Sequence, residues 1–365
     1  MRIKCSSCHK TFGVGPLFTC PDCGGIFTVE YDYLRTNKKS FIDNKKSGIW
    51  RFWQLLPFER FSERLITLKE GNTPLIKSKN LGKRFKVQNL YFKDEGKNPN
   101  GSFKDRAIAV GFNRALQDGA KKLMVYSSGN AAISLASFAQ ETRIKAQVFI
   151  ESENKKAIKR CRNLGAEVIE IPTKRNYFKD FRLFFWRLFS SWEVVWQKEY
   201  LPFFKNEFRS GWYPLQPNII INPYQIEGVK TISYEICETL NWEVPDVVIS
   251  PGITGDLLLG QWRGYQDLYK LGLIDNFPRL ILVAREKKNP FSLFNSLVIR
   301  AVKDSKGEII YTSEEESINA QKIILETEKI KTEAISASII AALPKLKKPI
   351  EKKEVVVCLL SGSNF

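Results

Sequence analysis

Blocks of apolar and polar residues alternate along the middle of the chain, and their lengths are those of strands and helices. Short apolar runs predict strands, and apolar residues three or four positions apart predict helices. The predicted elements are a strand at 123–126, a helix at 130–140, a strand at 146–150, a helix from about 154 to 164 that ends at Gly165, and a strand at 166–171.

The same alternation returns in the C-terminal part of the chain. The predicted elements there are a strand at 246–250, a helix at 257–271, a strand at 279–283 and a last strand at 355–360. Strands separated by single helices predict an α/β fold with doubly wound, mostly parallel sheets. A length of 365 residues suggests about two domains.

One segment, 173–215, departs from this alternation because it is rich in aromatic residues. Apolar residues recur at 178, 181, 185, 188, 192 and 196, which is the spacing of a helical face. Three interpretations compete: helices packed on a small domain, a dimer contact, or a helix lying in a membrane interface. We favour packing or a dimer contact, and we interpret the segment as an insertion.

Four of the seven cysteines form two CxxC pairs near the N-terminus, Cys5 with Cys8 and Cys20 with Cys23. Two such pairs in a short segment offer four thiolates to a tetrahedral Zn²⁺ ion. A segment of this length cannot bury a core, so metal binding would fold it. The alternative of two disulfides does not suit a cytosolic chain. Zinc ribbons also bind nucleic acid, which leaves a binding module as a rival function.

The charge balance limits the chemistry less than the single histidine does. The net charge of +18 suits nucleic acid, an anionic membrane surface or a phosphorylated ligand. A lysine-rich source proteome is the commonest cause of such a charge, so the charge alone does not choose between these partners. His9, the only histidine, lies within the cysteine segment. Ser-His-Asp and histidine–metal catalysis are therefore nearly excluded. Proton transfer must fall to lysine, carboxyl or tyrosine side chains, or to a cofactor.

The start of the chain and its apolar runs indicate where the protein works. The first residues contain no apolar signal region, and no run reaches the roughly 20 apolar residues of a membrane span. We therefore expect a cytoplasmic protein that does not insert into membranes.

Lys104 is the most informative single residue. A loop rich in Pro, Asn and Gly, residues 98–101, leads directly into a predicted helix that begins near Lys104. A lysine fixed at such a turn can act as an amine nucleophile towards an aldehyde. The ordinary interpretation is a solvated lysine, and only the surrounding motifs favour the nucleophile.

Those motifs resemble the threonine synthases, which belong to the fold type II pyridoxal-phosphate (PLP) enzymes. The similar segments, in the order that the family has them, are 70–75 (EGNTPL), 91–95 (YFKDE), 98–106 (NPNGSFKDR), 127–130 (SSGN), 222–231 (NPYQIEGVKT) and 361–364 (SGSN). The resemblance covers most of the chain outside roughly 173–215. It implies a two-domain fold type II PLP enzyme with a small N-terminal zinc ribbon, whose role would be structural.

The resemblance also implies a role for each matched residue. Lys104 would hold PLP covalently, Asn130 would meet the phenolic oxygen and Ser361 the pyridine nitrogen. The loop of Gly252, Ile253, Thr254 and Gly255 would bind the cofactor phosphate at a helix N-terminus. Ser127, Ser128 and Thr73 would bind the substrate. Asp256 follows where the family has small residues, and we expect it to cap the helix with its side chain turned outward.

The implied reaction converts O-phosphohomoserine to threonine and phosphate by γ-elimination and addition of water at Cβ. Three positions depart from the family pattern, because Ala131, Ile220 and Gln225 stand where it has Thr, Ser and Arg. They predict a weakened subsite for the substrate phosphate. Another PLP-dependent elimination or replacement enzyme, acting on phosphoserine, serine or threonine, is therefore an alternative. A degenerate homologue that only binds is a further one.

The predicted domains follow from this alignment of motifs. A zinc ribbon would occupy 1–30, and a small domain 122–215 would include the insertion 173–215. A large PLP-binding domain would combine 31–121 with 216–365. We expect a small anionic amino acid as substrate and a homodimer as the assembly, with no nucleic-acid or membrane partner.

Overall fold

The computed structural model describes residues 1–33, 41–59, 62, 64–171, 201–285 and 294–363. Its strands are β1 (Arg2–Cys5), β2 (Thr11–Phe12), β3 (Phe27–Glu30), β4 (Leu75–Lys77), β5 (Asn89–Asp94), β6 (Lys122–Ser127), β7 (Lys145–Glu151), β8 (Glu167–Ile171), β9 (Tyr213–Pro214), β10 (Val247–Pro251), β11 (Arg279–Arg285), β12 (Glu308–Thr312) and β13 (Val355–Leu360).

The helices follow the same numbering along the chain. They are α1 (Leu81–Arg84), α2 (Lys104–Gln117), α3 (Asn130–Gln140), α4 (Lys155–Asn163), α5 (Leu201–Arg209), α6 (Gln225–Val229), α7 (Thr231–Thr239), α8 (Asp256–Lys270), α9 (Ser296–Asp304), α10 (Glu314–Glu328) and α11 (Ala334–Ala342). Short 3₁₀ helices lie at Gly48–Leu55, Glu95–Lys97 and Leu343–Lys345.

The chain forms two compact units, and the first contains Met1–Glu70 and Lys104–Gly228 in their described parts. Its central sheet has the order β8-β7-β6-β9, and every neighbouring pair is parallel. Helices α2 and α3 pack together over this sheet, with the rings of Phe112 and Phe138 5.7 Å apart. Both helices are almost entirely buried; α3 is mainly apolar, whereas α2 also buries Asp105, Arg106, Asn113 and Arg114.

The N-terminal ribbon belongs to the first unit and has its own three-stranded antiparallel sheet, in the order β2-β1-β3. A small cluster of buried side chains, which includes Ile3, Phe27 and Val29, joins it to Tyr224. The hydroxyl of Tyr224 donates to the carbonyl of Gly15 at 2.6 Å and accepts from its N–H at 3.0 Å. The ribbon therefore rests on the segment just before α6.

The second unit contains Gly71–Phe103 and the described residues that follow Val229. Its six-stranded sheet has the order β12-β11-β10-β13-β5-β4. All neighbours are parallel except β4, which runs antiparallel to β5. The strands β10 and β13 are buried almost throughout, as central parallel strands are.

The strands and helices predicted from the alternating pattern are confirmed, with bounds that differ by one or two residues. The predicted α/β fold with mostly parallel sheets is also confirmed. The aromatic positions from 178 to 196 lie outside the described residues, so the interpretation of that insertion stays a prediction, as do the domain bounds. Within the described ranges, no helix combines the length and apolar character that a bilayer crossing needs.

Candidate active site

Lys104 is the first residue of α2 and directly follows the loop between β5 and that helix. Gly101 has a φ of 79°, a left-handed conformation that favours glycine. The N–H of Gly101 donates to the carbonyl of Asn98 at 2.8 Å, which closes the turn. Pro99 and Gly101 thus end the extended chain and place a lysine in the first turn of a helix.

Close backbone contacts fix α2 behind this lysine. A Cβ atom at Gly228 would lie 2.0 Å from the carbonyl oxygen of Arg106, and one at Gly111 would lie 2.6 Å from Cγ of Gln225. The residues 225–228 therefore pack directly on the first half of α2. This explains why a glycine stands in the segment similar to the threonine synthases.

The segment Ser127–Asn130 connects the end of β6 to the start of α3, so Asn130 is the first residue of its helix. Oγ of Ser127 accepts from the N–H of Gly129 at 3.1 Å. Asn154 supports the same segment, because its Nδ2 donates to the carbonyl of Ser128. Its Oδ1 accepts from the N–H of Ala157 at 3.1 Å and so caps α4.

The predicted phosphate loop lies between β10 and α8. Gly255 is the N-cap of α8, has a φ of 81° and contributes no side-chain cap. A Cβ atom there would lie 2.5 Å from Cγ1 of Val298, so only glycine fits. A 15-residue helix that begins on a glycine has no side-chain cap, and a helix N-terminus of this kind suits a phosphate.

Asp256 does not cap this helix, so the expectation of an outward N-cap is wrong. Gly255 occupies the cap position, and Asp256 lies in the first turn with only 5% of its surface exposed. Its carboxylate accepts a 2.5 Å hydrogen bond from the hydroxyl of Thr254. Thr254 can therefore only accept from a ligand with its remaining lone pair, and a phosphate would depend on backbone N–H groups.

Ser361 directly follows β13 and is nearly buried. Its Oγ lies 2.7 Å from Oγ of Ser336 on α11, and its carbonyl accepts from the N–H of Phe103 at 3.0 Å. The adjacent strands β10 and β13 are parallel, so Ser361 and the phosphate loop leave the same edge of the sheet. The loop that leads to Lys104 leaves that edge too, because β5 is the parallel neighbour of β13 on its other side. Asn364 lies outside the described residues.

Thr73 lies in a loop of three residues, Gly71–Thr73, in which every residue is bound by a side chain of the second unit. The N–H of Gly71 donates to Oδ1 of Asn98 at 3.0 Å, and that of Asn72 donates to Glu235 at 2.9 Å. The hydroxyl of Thr73 donates to Glu95 at 2.6 Å. Lys93 donates to the carbonyl of Thr73 at 2.6 Å.

Two of these supporting side chains form a buried ion pair. Nζ of Lys93 lies 2.6 Å from Oε2 of Glu235, and the two side chains are 0% and 4% exposed. Sequence reasoning missed Lys93 and Glu235, as it missed Asn154 and Ser336. Lys93 had a signal, because it follows the apolar run Leu90–Phe92 within a strand, where a buried lysine needs a partner. The other three had none.

The four ribbon cysteines converge as their spacing predicts, with all four sulfur atoms within 4.8 Å of one another. The Sγ atoms of Cys5 and Cys23 are 3.5 Å apart, and those of Cys8 and Cys20 are 3.6 Å apart. A tetrahedral ion with Zn–S bonds of about 2.3 Å requires sulfur separations of roughly 3.8 Å. The donor set and its spacing therefore fit zinc.

The backbone around Cys5 favours its thiolate. Burial raises the pKa of this thiol, but the N–H groups of Cys8 and Ser7 donate to Sγ and lower it to about 7. Hydrogen bonds from backbone N–H groups to sulfur stabilise the charged form that binds a metal.

The three positions that depart from the family pattern are buried in the first unit: Ala131, Ile220 and Gln225 are each at most 2% exposed. Nε2 of Gln225 donates to the carbonyl of Leu215 at 3.2 Å, so this amide holds a neighbouring segment. These side chains offer no cationic ligand for a phosphate.

Comparison with known proteins agrees with the motifs. The family model for pyridoxal-phosphate dependent enzymes matches residues 66–362. The threonine synthase of Methanocaldococcus jannaschii is 31% identical over 99% of this chain and 92% of its own length. That of Methanosarcina acetivorans is 29% identical over 99% of this chain and 91% of its own.

Among solved structures, maize serine racemase aligns with a TM-score of 0.61 and 19% identity. The alignment covers 80% of this chain and 88% of the racemase, and it shows a shared fold. The chain belongs to the pyridoxal-phosphate dependent enzyme family and, within it, to the threonine synthase family.

Proposed function

We propose that the protein is a PLP-dependent carbon–oxygen lyase that converts O-phosphohomoserine and water to threonine and phosphate. The observation that carries this proposal is the 31% identity to a threonine synthase over 99% of the chain. The structure supports it by grouping Thr73, Ser361, the phosphate loop and the strand before the lysine loop at one edge of a parallel sheet. Ligands of α/β proteins bind outside such carboxyl edges.

The side chains have distinct tasks in this proposal. When bound, PLP withdraws electrons from the carbon atoms of the attached amino acid. Lys104 holds the cofactor, yields its place to the substrate amine and then moves the proton at the substrate Cα. Ser127 and Ser128 bind the substrate carboxylate, and Thr73 adds a further contact. Asn130, Ser361 and the N–H groups of Ile253, Thr254 and Gly255 bind the cofactor. Gly252 contributes as a small residue of the loop, because its own N–H donates to the carbonyl of Val283 at 3.0 Å.

The four ribbon cysteines hold a structural Zn²⁺ ion in this proposal. The ribbon contacts the segment of Tyr224, whose hydroxyl makes two hydrogen bonds to Gly15. A metal-stabilised ribbon thereby fixes the segment that packs on α2. This role needs no chemistry at the metal.

A second candidate is elimination or replacement on phosphoserine, serine or threonine. Ile220 and Gln225 favour it, because an apolar side chain and an occupied amide replace the polar ligands of the family. Each missing charge-assisted hydrogen bond costs roughly 1.5–3 kcal/mol of substrate binding. Two such losses would weaken binding of the substrate phosphate at least about a hundredfold.

The test is a substrate screen on purified protein with added PLP. Phosphohomoserine, phosphoserine, serine and threonine are supplied in turn while released phosphate, ammonia and threonine are measured. Release of phosphate and threonine from phosphohomoserine, lost in Lys104→Ala, supports the proposal. Faster turnover of another amino acid favours the second candidate.

The same preparation tests the role of Lys104 directly. Borohydride reduction followed by peptide mapping should find the cofactor on the peptide that contains Lys104. A chain that takes up no PLP at any concentration would contradict both candidate reactions and leave the binding-only homologue.

A further inference from the structure

A buried serine on α11 lies against the residue proposed to meet the pyridine nitrogen. Oγ of Ser336 is 2.7 Å from Oγ of Ser361, and Ser336 is fully buried. That distance is typical of an O–H···O hydrogen bond, in which either hydroxyl could donate. Which one does so decides what Ser361 can offer to a ligand.

The neighbouring groups determine the direction. The N–H of Gly362 donates to Oγ of Ser336 at 3.2 Å, so one lone pair of Ser336 is in use. Its own proton has two acceptors within reach, Oγ of Ser361 at 2.7 Å and the carbonyl of Gly362 at 3.4 Å. The second contact is too long for a strong hydrogen bond.

The carbonyl of Gly362 is also already satisfied. It accepts from the hydroxyl of Thr332 at 2.9 Å and from the N–H of Glu333 at 2.9 Å. A carbonyl oxygen has two lone pairs, and these two donors fill them. The hydroxyl of Ser336 therefore donates its hydrogen bond to Oγ of Ser361.

We infer that Ser336 is a positioning residue that makes Ser361 a hydrogen-bond donor. With one lone pair of Ser361 occupied by the proton of Ser336, the O–H of Ser361 has no other acceptor among the described residues. It is left to donate to the pyridine nitrogen. A nitrogen that accepts from a neutral hydroxyl stays unprotonated, which limits how strongly the ring withdraws electrons.

The inference rests on the proposed role of Ser361, and it concerns a residue outside the segments that resemble the family.

Ser338 provides a matched control on the same helix. It is also fully buried, but its hydroxyl donates to the carbonyl of Ile335 at 2.7 Å. Ser338→Ala removes a buried hydroxyl of the same kind without a contact to Ser361.

The experiment combines PLP titration of the full chain with NMR of PLP that carries ¹⁵N in its ring. In the unsubstituted protein the ring nitrogen should resonate in the range of a neutral, hydrogen-bonded pyridine. Ser336→Ala should raise the Kd for PLP about tenfold, the size of one net hydrogen bond, and move the nitrogen resonance towards that of Ser361→Ala. Ser338→Ala should leave both within about twofold of the unsubstituted values.

Two results would overturn the inference. One is a Kd and a nitrogen resonance in Ser336→Ala that match those of Ser338→Ala. The other is a protonated ring nitrogen in the unsubstituted protein, since Ser361 would then accept. If Ser336→Ala does not fold, Ser336→Cys keeps the volume with a weaker donor and should show a smaller change in the same direction. Failure of the unsubstituted protein to bind PLP would instead overturn the proposed function.

Discussion

Two loops that we propose to contact the substrate are fixed in different ways. Gly71–Thr73 is bound at every residue by buried side chains, among them the ion pair of Lys93 and Glu235. In Ser127–Asn130 the carbonyl of Ser128 accepts from the half-buried Asn154, which also caps α4. A change at the first loop's supports should therefore disturb the stability of its unit, whereas a change at Asn154 should act locally.

The physical reason for this difference is desolvation. A buried charge that loses its partner keeps the full desolvation cost, and this cost lowers the free energy of unfolding of the surrounding unit. A partly exposed amide that loses its partner can bond to water instead. We therefore expect removal of a supporting side chain to reduce stability strongly at the first loop and only slightly at the second.

The largest expected effect is the unfolding of the ribbon on loss of zinc. It tests whether the two loops keep their structure without the metal. Removal of zinc by a chelator should unfold the ribbon, because apparent zinc affinities of about 10–16 kcal/mol supply the folding energy of such small modules. Hydrogen exchange should speed up in β1 and β3 but not in α3. A chain without residues 1–30 that retains a full equivalent of zinc would contradict the four-cysteine site.

The second prediction concerns the buried ion pair of Lys93 and Glu235, and it is the most direct test of how the first loop is supported. Lys93→Met and Glu235→Leu should each lower the free energy of unfolding by roughly 3–5 kcal/mol, because each leaves an unpaired buried charge. The double variant should recover most of that loss. Denaturant unfolding of each variant without PLP measures it.

Measuring KM in the same variants distinguishes a role of the ion pair in stability from a role in positioning the substrate loop. The double variant should still have a raised KM, because the N–H of Asn72 and the carbonyl of Thr73 have lost their partners. Glu235→Gln keeps an oxygen acceptor for Asn72 and should be less impaired. A double variant with an unchanged KM would show that the pair serves stability alone.

The smallest effect is expected at Asn154. Asn154→Asp keeps an oxygen that caps α4 but removes the donor to Ser128, so KM should rise while the unfolding free energy stays within about 0.5 kcal/mol. Asn154→Ala loses both contacts and should also cost about 1 kcal/mol of stability. Asn154→Ser, a good cap without an amide, is the control and should resemble the aspartate variant. An unchanged KM in Asn154→Asp would show that the hydrogen bond to Ser128 does not position the second loop for substrate binding.

The sequence by itself determined much of the local structure. Apolar runs and helical spacing gave the strands and helices from Lys122 to Ile171 because these patterns reflect which face is buried. The CxxC spacing predicted the convergence of four sulfur atoms, since two short knuckles can approach one ion in few ways. The motif around Lys104 located the start of α2 because proline fixes its own φ and glycine permits the left-handed turn before the helix.

Only the tertiary structure decided which distant groups meet. Glu235 reaches Lys93, and Ser336 reaches Ser361, across long stretches of sequence that carry no periodic signal for either contact. Asp256 shows the same limit at short range. Its type and position suggested a cap, but a glycine in the left-handed conformation took that position, and the carboxylate was buried against Thr254. Local patterns reflect burial and backbone preference, whereas the partner of a buried polar group depends on how whole elements pack.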